Sequence, residues 1–118
     1  MNKHSPGHRY EKAAQEFLRN KGYQIITTNY RYKRKEIDII CSSGNELVFV
    51  EVKGGGSATF GDPVYKVDGR KRQAIIEVAR GYLAQSLRSY RSYRFDVIIV
   101  NDIRGELQIE HRQGAFTL

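Results

Sequence analysis

Residues 35–53 read KEIDIICSSGNELVFVEVK, and this stretch decides the fold. Two segments rich in β-branched residues and alternating in polarity flank the pair Gly44-Asn45, which predicts a β-hairpin. Glycine accepts positive φ freely and asparagine accepts it better than most residues, so this pair suits a tight hairpin turn. Counting outward from the turn places Ser43 opposite Glu46 and fixes the register of both strands.

The same register places Asp38 opposite Glu51 and Glu36 opposite Lys53, with all four side chains on one face of the hairpin. The other face carries a core-facing set, Ile37, Ile39, Val50 and Val52. Directly opposed carboxylates destabilise a strand pair by roughly 0.2–1 kcal/mol. A divalent cation would convert that repulsion into ligation, since hard cations bind clustered carboxylate oxygens. The alternative is a set of surface ion pairs worth roughly 0–1 kcal/mol each.

The composition predicts one domain spanning residues 1–118 that attracts polyanions, because the net charge is +7 and the pI about 9.7. Basic residues cluster in 31–35, 66–72 and 88–94, which favours nucleic acid over a merely solvated basic surface. The single cysteine, Cys41, excludes an intrachain disulfide and a cysteine-based zinc site, and its strand position predicts a buried thiol. No apolar run approaches the ~20 residues of a membrane span, so we expect a cytoplasmic protein with no membrane contact.

A first helix is expected to begin at Ser5-Pro6 and end near Asn20, where Gly22 stops it. Its apolar stripe is Tyr10, Ala13, Ala14, Phe17 and Leu18. Glu11 lies at the edge of this stripe, so it is either a solvated surface carboxylate or one that points toward the hairpin acids.

The remaining elements follow from apolar periodicity and turn signals. We expect strands over 23–32, 36–41 and 46–53, a helix over 68–87, a strand over 94–100 and a weak strand over 107–110. Residues 1–4 are expected to be mobile, and the glycine-rich segment 54–69 to form a flexible loop beside the hairpin acids.

Several basic residues are candidates for phosphate contacts. Lys71 would reach a phosphate if the second helix begins near the hairpin acids, and its alternative is the commoner one, a solvated surface charge. The segment 89–94 reads SYRSYR, and basic residues interleaved with tyrosines suit a nucleic-acid surface, with Arg88, Arg91 and Arg94 as contacts. The alternative for this segment is an exposed loop.

The three histidines do not form a convincing metal site. His4 and His8 have the spacing of a helical metal pair, but no third ligand is apparent near them, and His111 reads as a surface residue.

The hairpin acids fit the hydrolysis of a phosphodiester, which needs a metal, positive charge at the phosphate and an in-line geometry. Asp38 and Glu51 are the predicted ligands of Mg²⁺ or Mn²⁺, helped by the Val52 carbonyl. Lys53 is the predicted catalytic cation, and Glu36 is an accessory candidate.

The residues Glu36-Ile37-Asp38 followed by 49–53, FVEVK, resemble the Asp…Glu-x-Lys core of the PD-(D/E)-x-K nuclease superfamily. Within it the chain is most similar to the YraN-like family of small bacterial proteins, over nearly its whole length. The shared positions are Gly7, Glu11, Ala14, Gly22-Tyr23, Asn29, Glu36-Ile37-Asp38, 49–53, Phe60-Gly61, Pro63, Lys71 and Arg94-Phe95-Asp96.

The resemblance implies a restriction-endonuclease-like α/β fold, a mixed central β-sheet flanked by helices, together with Mg²⁺. The spacing of Asp38, Glu51 and Lys53 is similar to that of archaeal Holliday-junction resolvases, which carry a further glutamate that Glu11 matches. That similarity implies a homodimer acting on branched DNA, with Glu11 as a helper ligand or base. The chain departs from the family at Lys35, where glycine is usual, and at 54–56, where glycines replace a usual arginine.

Two other functions remain open from the sequence. One is a non-catalytic nucleic-acid-binding module with the same fold, and the other is a protein-interaction domain with incidental charge.

Overall fold

A computed structural model describes residues 6–54 and 69–116. The elements are α1 (Pro6–Asn20), β1 (Gln24–Tyr32), β2 (Lys35–Ser43), β3 (Glu46–Gly54), α2 (Gly69–Gln85), β4 (Ser92–Ile103) and β5 (Glu106–Phe116). The predicted mobile segment 1–4, His4, and nearly all of the predicted loop 54–69 lie outside the described residues.

The strands form one mixed sheet in the order β1-β2-β3-β4-β5. Neighbouring strands are antiparallel except β3 and β4, which are parallel and are joined through the segment that contains α2. The predicted α/β architecture with a mixed sheet and flanking helices is therefore confirmed.

Both faces of the sheet are covered, and each has its own core. The α1-side core consists of Ala14, Leu18, Tyr23, Ile39, Cys41, Val48, Val50, Ile98 and Val100. The α2-side core consists of Ile37, Ile40, Leu47, Phe49, Ile75, Ile76, Val78, Ala79, Phe95 and Phe116. Because both faces are apolar, the central strands are nearly continuous runs of buried residues, as strands covered on two sides usually are.

The predicted hairpin is confirmed at its turn. Ser43 pairs with Glu46 and Cys41 with Val48, and Gly44 has a φ of +60°. Cys41 is fully buried, and its burial raises the pKa of the thiol to about 12, so the predicted inert thiol is consistent with the structure.

Helix α1 ends as the sequence predicts. Gly22 adopts a φ of +93°, and the Tyr23 amide donates to the Leu18 carbonyl at 3.0 Å while the Gly22 amide donates to the Arg19 carbonyl at 3.0 Å. This pair of bonds is a Schellman motif, which satisfies the last carbonyls of the helix. It also turns the chain directly into β1.

Strand β5 is longer than the predicted 107–110. It continues to Phe116, whose ring stacks on Phe95 with centroids 4.6 Å apart. The polar run Glu110-His111-Arg112-Gln113 hid this extension, because an edge strand of the sheet does not need an alternating apolar pattern.

Neither α1 nor α2 has the length and hydropathy that a membrane span requires.

Candidate metal centre

The two strands of the hairpin separate at its open end. Their backbone pairing runs from Ser43–Glu46 as far as Ile39–Val50 and ends there. Beyond that point the Val52 amide donates to Asp38 Oδ2 at 2.8 Å, so a carboxylate replaces the next backbone acceptor. The predicted backbone partners Asp38–Glu51 and Glu36–Lys53 therefore lie just past the paired region.

Strand β2 also changes face at Asp38. Ile37 belongs to the α2-side core and Ile39 to the α1-side core, although residues two apart on a regular strand share a face. The β1 residue between the partners of Ile37 and Ile39 is Asn29, which has a φ of +50°. The prediction that Ile37 and Ile39 share one face is thus wrong, because the strand pair is irregular where Asn29 and Asp38 meet.

Three carboxylates converge on the α1 side of this irregularity. Glu11 of α1, with Glu36 and Asp38 of β2, each offers an oxygen, and these oxygens lie within 4.8 Å of one another. The Asn29 amide nitrogen donates to Glu36 Oε1 at 2.8 Å and to Glu11 Oε1 at 3.1 Å. Burial raises the pKa of Glu11, the Asn29 hydrogen bond opposes that shift, and the charges of Asp38 and Glu36 reinforce it.

Glu51 approaches the same place from the other face. It follows Leu47 and Phe49 in the alternation of β3, so its side chain lies on the α2 side. The predicted arrangement of all four hairpin residues on one face is therefore wrong. Asp38, at the point where the strands part, interacts with Glu11 on one side and with Glu51 on the other.

The Glu51 carboxylate is buried and only partly satisfied. Its side chain is 9% exposed, and Lys71 Nζ lies 3.2 Å from Oε1. Oε2 is buried and has no hydrogen-bond partner among the described residues. Burial raises the pKa of Glu51 to about 7, the Asp38 charge raises it further, and Lys71 partly offsets both effects.

Two lysines complete this side of the centre. Lys71 lies in the first turn of α2, and its side chain extends to Glu51 on the α2 side of the sheet. The predicted condition, a second helix that begins near the hairpin acids, is therefore met. Lys53, half-buried on β3, lies beside Lys71. Val52 is half-buried against the α1-side core, and its amide is committed to Asp38.

The predicted arginine contacts lie elsewhere. Arg94 pairs with Asp96 at 2.8 Å and with Glu46 at 2.7 Å, and it donates to the Tyr23 hydroxyl at 2.6 Å. The guanidinium is thereby committed to a part-buried network, so the prediction that it binds a phosphate is corrected.

Arg88 and Arg91 are exposed but lie at the opposite end of the sheet. Arg88 stacks over the Tyr90 ring at 4.8 Å, and the Arg91 amide donates to the Asn45 carbonyl of the hairpin turn. From that turn to Glu51 the strand rises about 20 Å, at ~3.3 Å per residue. The structure does not bring these arginines to the acidic centre.

His111 is not the surface residue that the sequence suggested. Its side chain is 3% exposed, and Nε2 lies 2.6 Å from Asp96 Oδ2. The rings of Phe17 and Tyr23 pack edge-on against it. His8 is half-buried on α1, and the metal group formed by the described residues contains no histidine.

A known protein family matches the part of the chain that contains these residues. The sequence profile of "Uncharacterised protein family UPF0102" matches residues 10–100. The chain belongs to this family. It is 44% identical to a UPF0102 protein of Chlorobium limicola over 96% of this chain and 92% of that one. It is 42% identical to one of Natranaerobius thermophilus over 98% and 100%, and 40% identical to one of Clostridioides difficile over the same shares.

The UPF0102 match confirms the YraN-like resemblance and spans every residue of the acidic centre, from Glu11 to Lys71. The assignment to a nuclease superfamily stays a prediction.

Asn29 is the residue of the centre to which reasoning from the residue pattern gave no role. It appeared only among the positions shared with the family, because nothing in its neighbourhood distinguishes it from an ordinary polar strand residue. A non-glycine residue with positive φ is uncommon and favours asparagine, so an asparagine inside a strand pattern was the available signal.

Proposed function

We propose that this UPF0102 protein is a Mg²⁺- or Mn²⁺-dependent nuclease that hydrolyses DNA phosphodiester bonds, with branched or structured DNA as its substrate class. The proposal includes a restriction-endonuclease-like fold and a homodimer, as the resemblance to resolvases implies. The observation that carries it is the buried Glu51 carboxylate, whose Oε2 has no partner among the described residues and whose pKa is raised to about 7.

A buried carboxylate that is only half paired and lies beside other carboxylates is costly in an isolated fold. Removing a charged group from water without pairing it costs several kcal/mol at least, and the usual response is a shifted pKa. Such perturbed groups cluster at functional sites, where a ligand offsets their cost. The positive charge of a divalent ion is the natural compensation here.

The donor set fits that ion. Asp38 and Glu51 would hold it, with Glu11 and Glu36 within reach on the α1 side. All four offer carboxylate oxygens, which hard cations such as Mg²⁺ and Mn²⁺ prefer. When bound, such an ion lowers the pKa of a water molecule and stabilises negative charge on the phosphate.

The lysines have separate roles in this proposal. Lys53 is the catalytic cation, which orients the attacking water and offsets charge that develops on the phosphate. Lys71 holds Glu51 in place through its ion pair and adds positive charge on the α2 side. Glu11 and Glu36, held together by the Asn29 amide, position Asp38 and can accept a proton from water.

The test combines metal binding with cleavage. Mn²⁺ and Mg²⁺ are titrated into wild type and Asp38→Ala, and thermal unfolding is followed. We expect the wild type to be stabilised by about 2.7 kcal/mol at 100 times the dissociation constant, and Asp38→Ala not to respond. Four-way junctions, single strands and duplexes are then incubated with Mg²⁺, where Lys53→Ala should cleave ~10²–10³ times more slowly than wild type while retaining the metal response.

Asp102→Ala is the matched control, because Asp102 also lies in the sheet but pairs with Arg9 at 2.7 Å outside the acidic centre. It should keep both the metal response and the cleavage rate. Equal metal responses in wild type and Asp38→Ala, together with no cleavage of any of the three substrates, would overturn the proposal.

The alternative predicted from the sequence, a non-catalytic nucleic-acid-binding module, is favoured by one observation, the net charge of +7. The two functions differ in Asp38→Ala. A nuclease loses cleavage and still binds DNA, whereas a binding module has no metal-dependent step to lose.

A further inference from the structure

A pocket lies on the outer side of the β1–β2 turn, against α2. Its volume is about 450 Å³, within the range of sites that hold small organic molecules. Its apolar part is made by the Tyr32 ring, Ile76, Gly81 and Ala84. It is separate from the acidic centre, and none of its lining residues has a role in the proposed hydrolysis.

The pocket exists because two helix positions are small. A Cβ at Gly81 would lie 2.5 Å from Cδ1 and 2.6 Å from Cε1 of Tyr32. The tyrosine ring therefore rests directly on the helix backbone, and Ala84 one turn later leaves open space beside it. The result is an aromatic wall with room next to it.

The rim of the pocket is polar and carries excess positive charge. Lys33, Arg80 and the Gln73 amide contribute to it, with Glu77 as the single acid. Glu77 forms an ion pair with Lys35, whose hydrogen bond holds the pKa of Glu77 below its usual value. Arg80 makes no ion pair or hydrogen bond with any residue that the structure describes. Arg80 is thus left for an anionic ligand, and Lys33, whose Nζ lies 5.4 Å from the centroid of the Tyr32 ring, can exchange that contact for one with a phosphate.

The pocket and the Lys71–Glu51 ion pair both lie on the α2 side of the sheet. Lys71, which pairs with Glu51, and Arg80 are both on α2, and the helix rises about 14 Å between them. Successive nucleotides of a B-form strand rise about 3.4 Å, so the separation corresponds to about four nucleotides.

We propose that this pocket binds one nucleotide of a nucleic-acid strand whose backbone continues to the acidic centre. The Tyr32 ring contacts the base, Gln73 meets its polar edge, and Lys33 and Arg80 hold the flanking phosphate. These are the interactions that single-strand binding sites use, stacking on an aromatic side chain and cations along the backbone. The strand-binding surface then lies at the β1–β2 turn and α2 rather than at Arg88, Arg91 and Arg94. The inference rests on the proposed function only in assuming that the bound strand is cleaved at the acidic centre.

The test measures binding without cleavage. Fluorescence anisotropy of a labelled ten-nucleotide oligodeoxythymidine is recorded with EDTA at several salt concentrations, using wild type, Arg80→Gln and Ala84→Leu. Arg80→Gln should weaken binding about fivefold or more and reduce the salt slope by about 0.7, the value for one lost phosphate contact on a single strand. Ala84→Leu, which fills the pocket from an exposed helix position, should weaken binding by a similar factor with no change in salt slope.

Arg19→Gln is the matched control, since Arg19 is an exposed arginine in the last turn of α1 and should leave affinity and slope unchanged. Thermal unfolding of each variant confirms that it is folded. Thymidine 5′-monophosphate, used as competitor, should displace the oligonucleotide only at far higher concentration. Binding of the mononucleotide but not of the oligonucleotide would overturn the assignment to a strand.

Wild-type affinity in both Arg80→Gln and Ala84→Leu would also overturn the pocket assignment. Cleavage by the wild type in Mg²⁺ would then show that the proposed nuclease stands without the pocket. Conversely, pocket-dependent binding with no cleavage would retain the pocket and reject the nuclease.

Discussion

The sheet carries two groups of buried charge, one around Asp96 of β4 and one around Glu51 of β3, and they are built on opposite principles. Around Asp96, every carboxylate oxygen is paired. Oδ1 accepts from Arg94 at 2.8 Å and from the Gly114 amide at 3.0 Å, and Oδ2 accepts from Arg94 at 2.9 Å and lies 2.6 Å from His111 Nε2. Around Glu51, one oxygen is paired with Lys71 and the other has no partner among the described residues.

Their pKa values respond in opposite directions. Burial alone would raise the pKa of Asp96, but hydrogen bonds from His111, Arg94 and Gly114 outweigh it and hold the pKa below its usual value. Burial likewise raises the pKa of Glu51, and there the neighbouring Asp38 charge adds to the rise. A buried carboxylate thus stabilises the fold at Asp96 and destabilises it at Glu51. A satisfied network stabilises the structure, whereas buried carboxylates with raised pKa values cluster at functional sites, which is the basis of the proposed metal site.

The largest effect is expected from breaking the satisfied network. Asp96→Ala leaves Arg94 and His111 buried without their shared acceptor, and breaking a buried charge pair costs about 3–5 kcal/mol. Urea unfolding should show a fall of that size in the free energy of unfolding. Asp102→Ala, which removes a carboxylate of the same strand that pairs with the exposed Arg9, should cost much less. A loss below about 1 kcal/mol in Asp96→Ala would mean that the network contributes little to the stability of the fold.

A smaller effect, opposite in sign, is expected from removing the unsatisfied charge. The pKa of Glu51 is about 7 in the folded chain against 4.5 for an ordinary glutamate. Between these values the folded chain holds a proton that the unfolded chain has lost, so the free energy of unfolding falls as pH rises through this window. At pH 8 the accumulated cost is on the order of 3 kcal/mol. Glu51→Gln should therefore be more stable than wild type at pH 8 and should lose this part of the pH dependence.

The pH dependence expected from Glu51 can be checked with a control variant and with added metal. Glu16→Gln, at an exposed position of α1, should leave the dependence of stability on pH unchanged. Added Mn²⁺ should flatten the wild-type curve, because an ion that binds the ionised carboxylate removes the cost of its charge. A wild-type stability that rises steadily from pH 5 to 8 without metal would contradict the raised pKa.

The comparison also shows which parts of the molecule the sequence could predict. The hairpin turn at Gly44, the end of α1 at Gly22 and the register Cys41–Val48 follow from local rules about φ and alternation. These rules hold wherever the backbone is regular. They placed α1, the three strands that follow it and α2 to within a few residues.

The failures occur where the backbone stops being regular. The face change at Asp38 depends on the conformation of Asn29 on another strand, so alternation counted along β2 alone could not reveal it. The Arg94–Asp96–His111 network depends on β5 pairing with β4, and β5 gave only a weak strand signal. Charges predicted to face solvent were in fact buried there, because partners far apart in sequence satisfy each other.

The smallest predicted effect concerns Asn29, whose side-chain amide lies between Glu11 and Glu36 and moderates their repulsion. Asn29→Asp keeps the size of the side chain and its tolerance of a φ of +50°, but it replaces a donor between Glu11 and Glu36 with a further acceptor. At pH 8 without divalent ions, the free energy of unfolding should fall by about 1–2 kcal/mol. Mn²⁺ should then stabilise this variant more than it stabilises wild type.

Monovalent salt separates ligation from simple screening. Raising NaCl to about 1 M shortens the Debye length to about 3 Å and weakens exposed repulsion without coordinating the carboxylates. If NaCl restores Asn29→Asp as fully as Mn²⁺ does, the acids are only mutually repelling surface groups and the centre is not a metal site. Asn45→Asp, in the exposed hairpin turn at the other end of β2, should show neither the loss nor the rescue, because the carboxylate cluster found among residues 6–54 and 69–116 does not include it. A rescue specific to Mn²⁺ and to position 29 would show that the acidic centre is arranged around a cation.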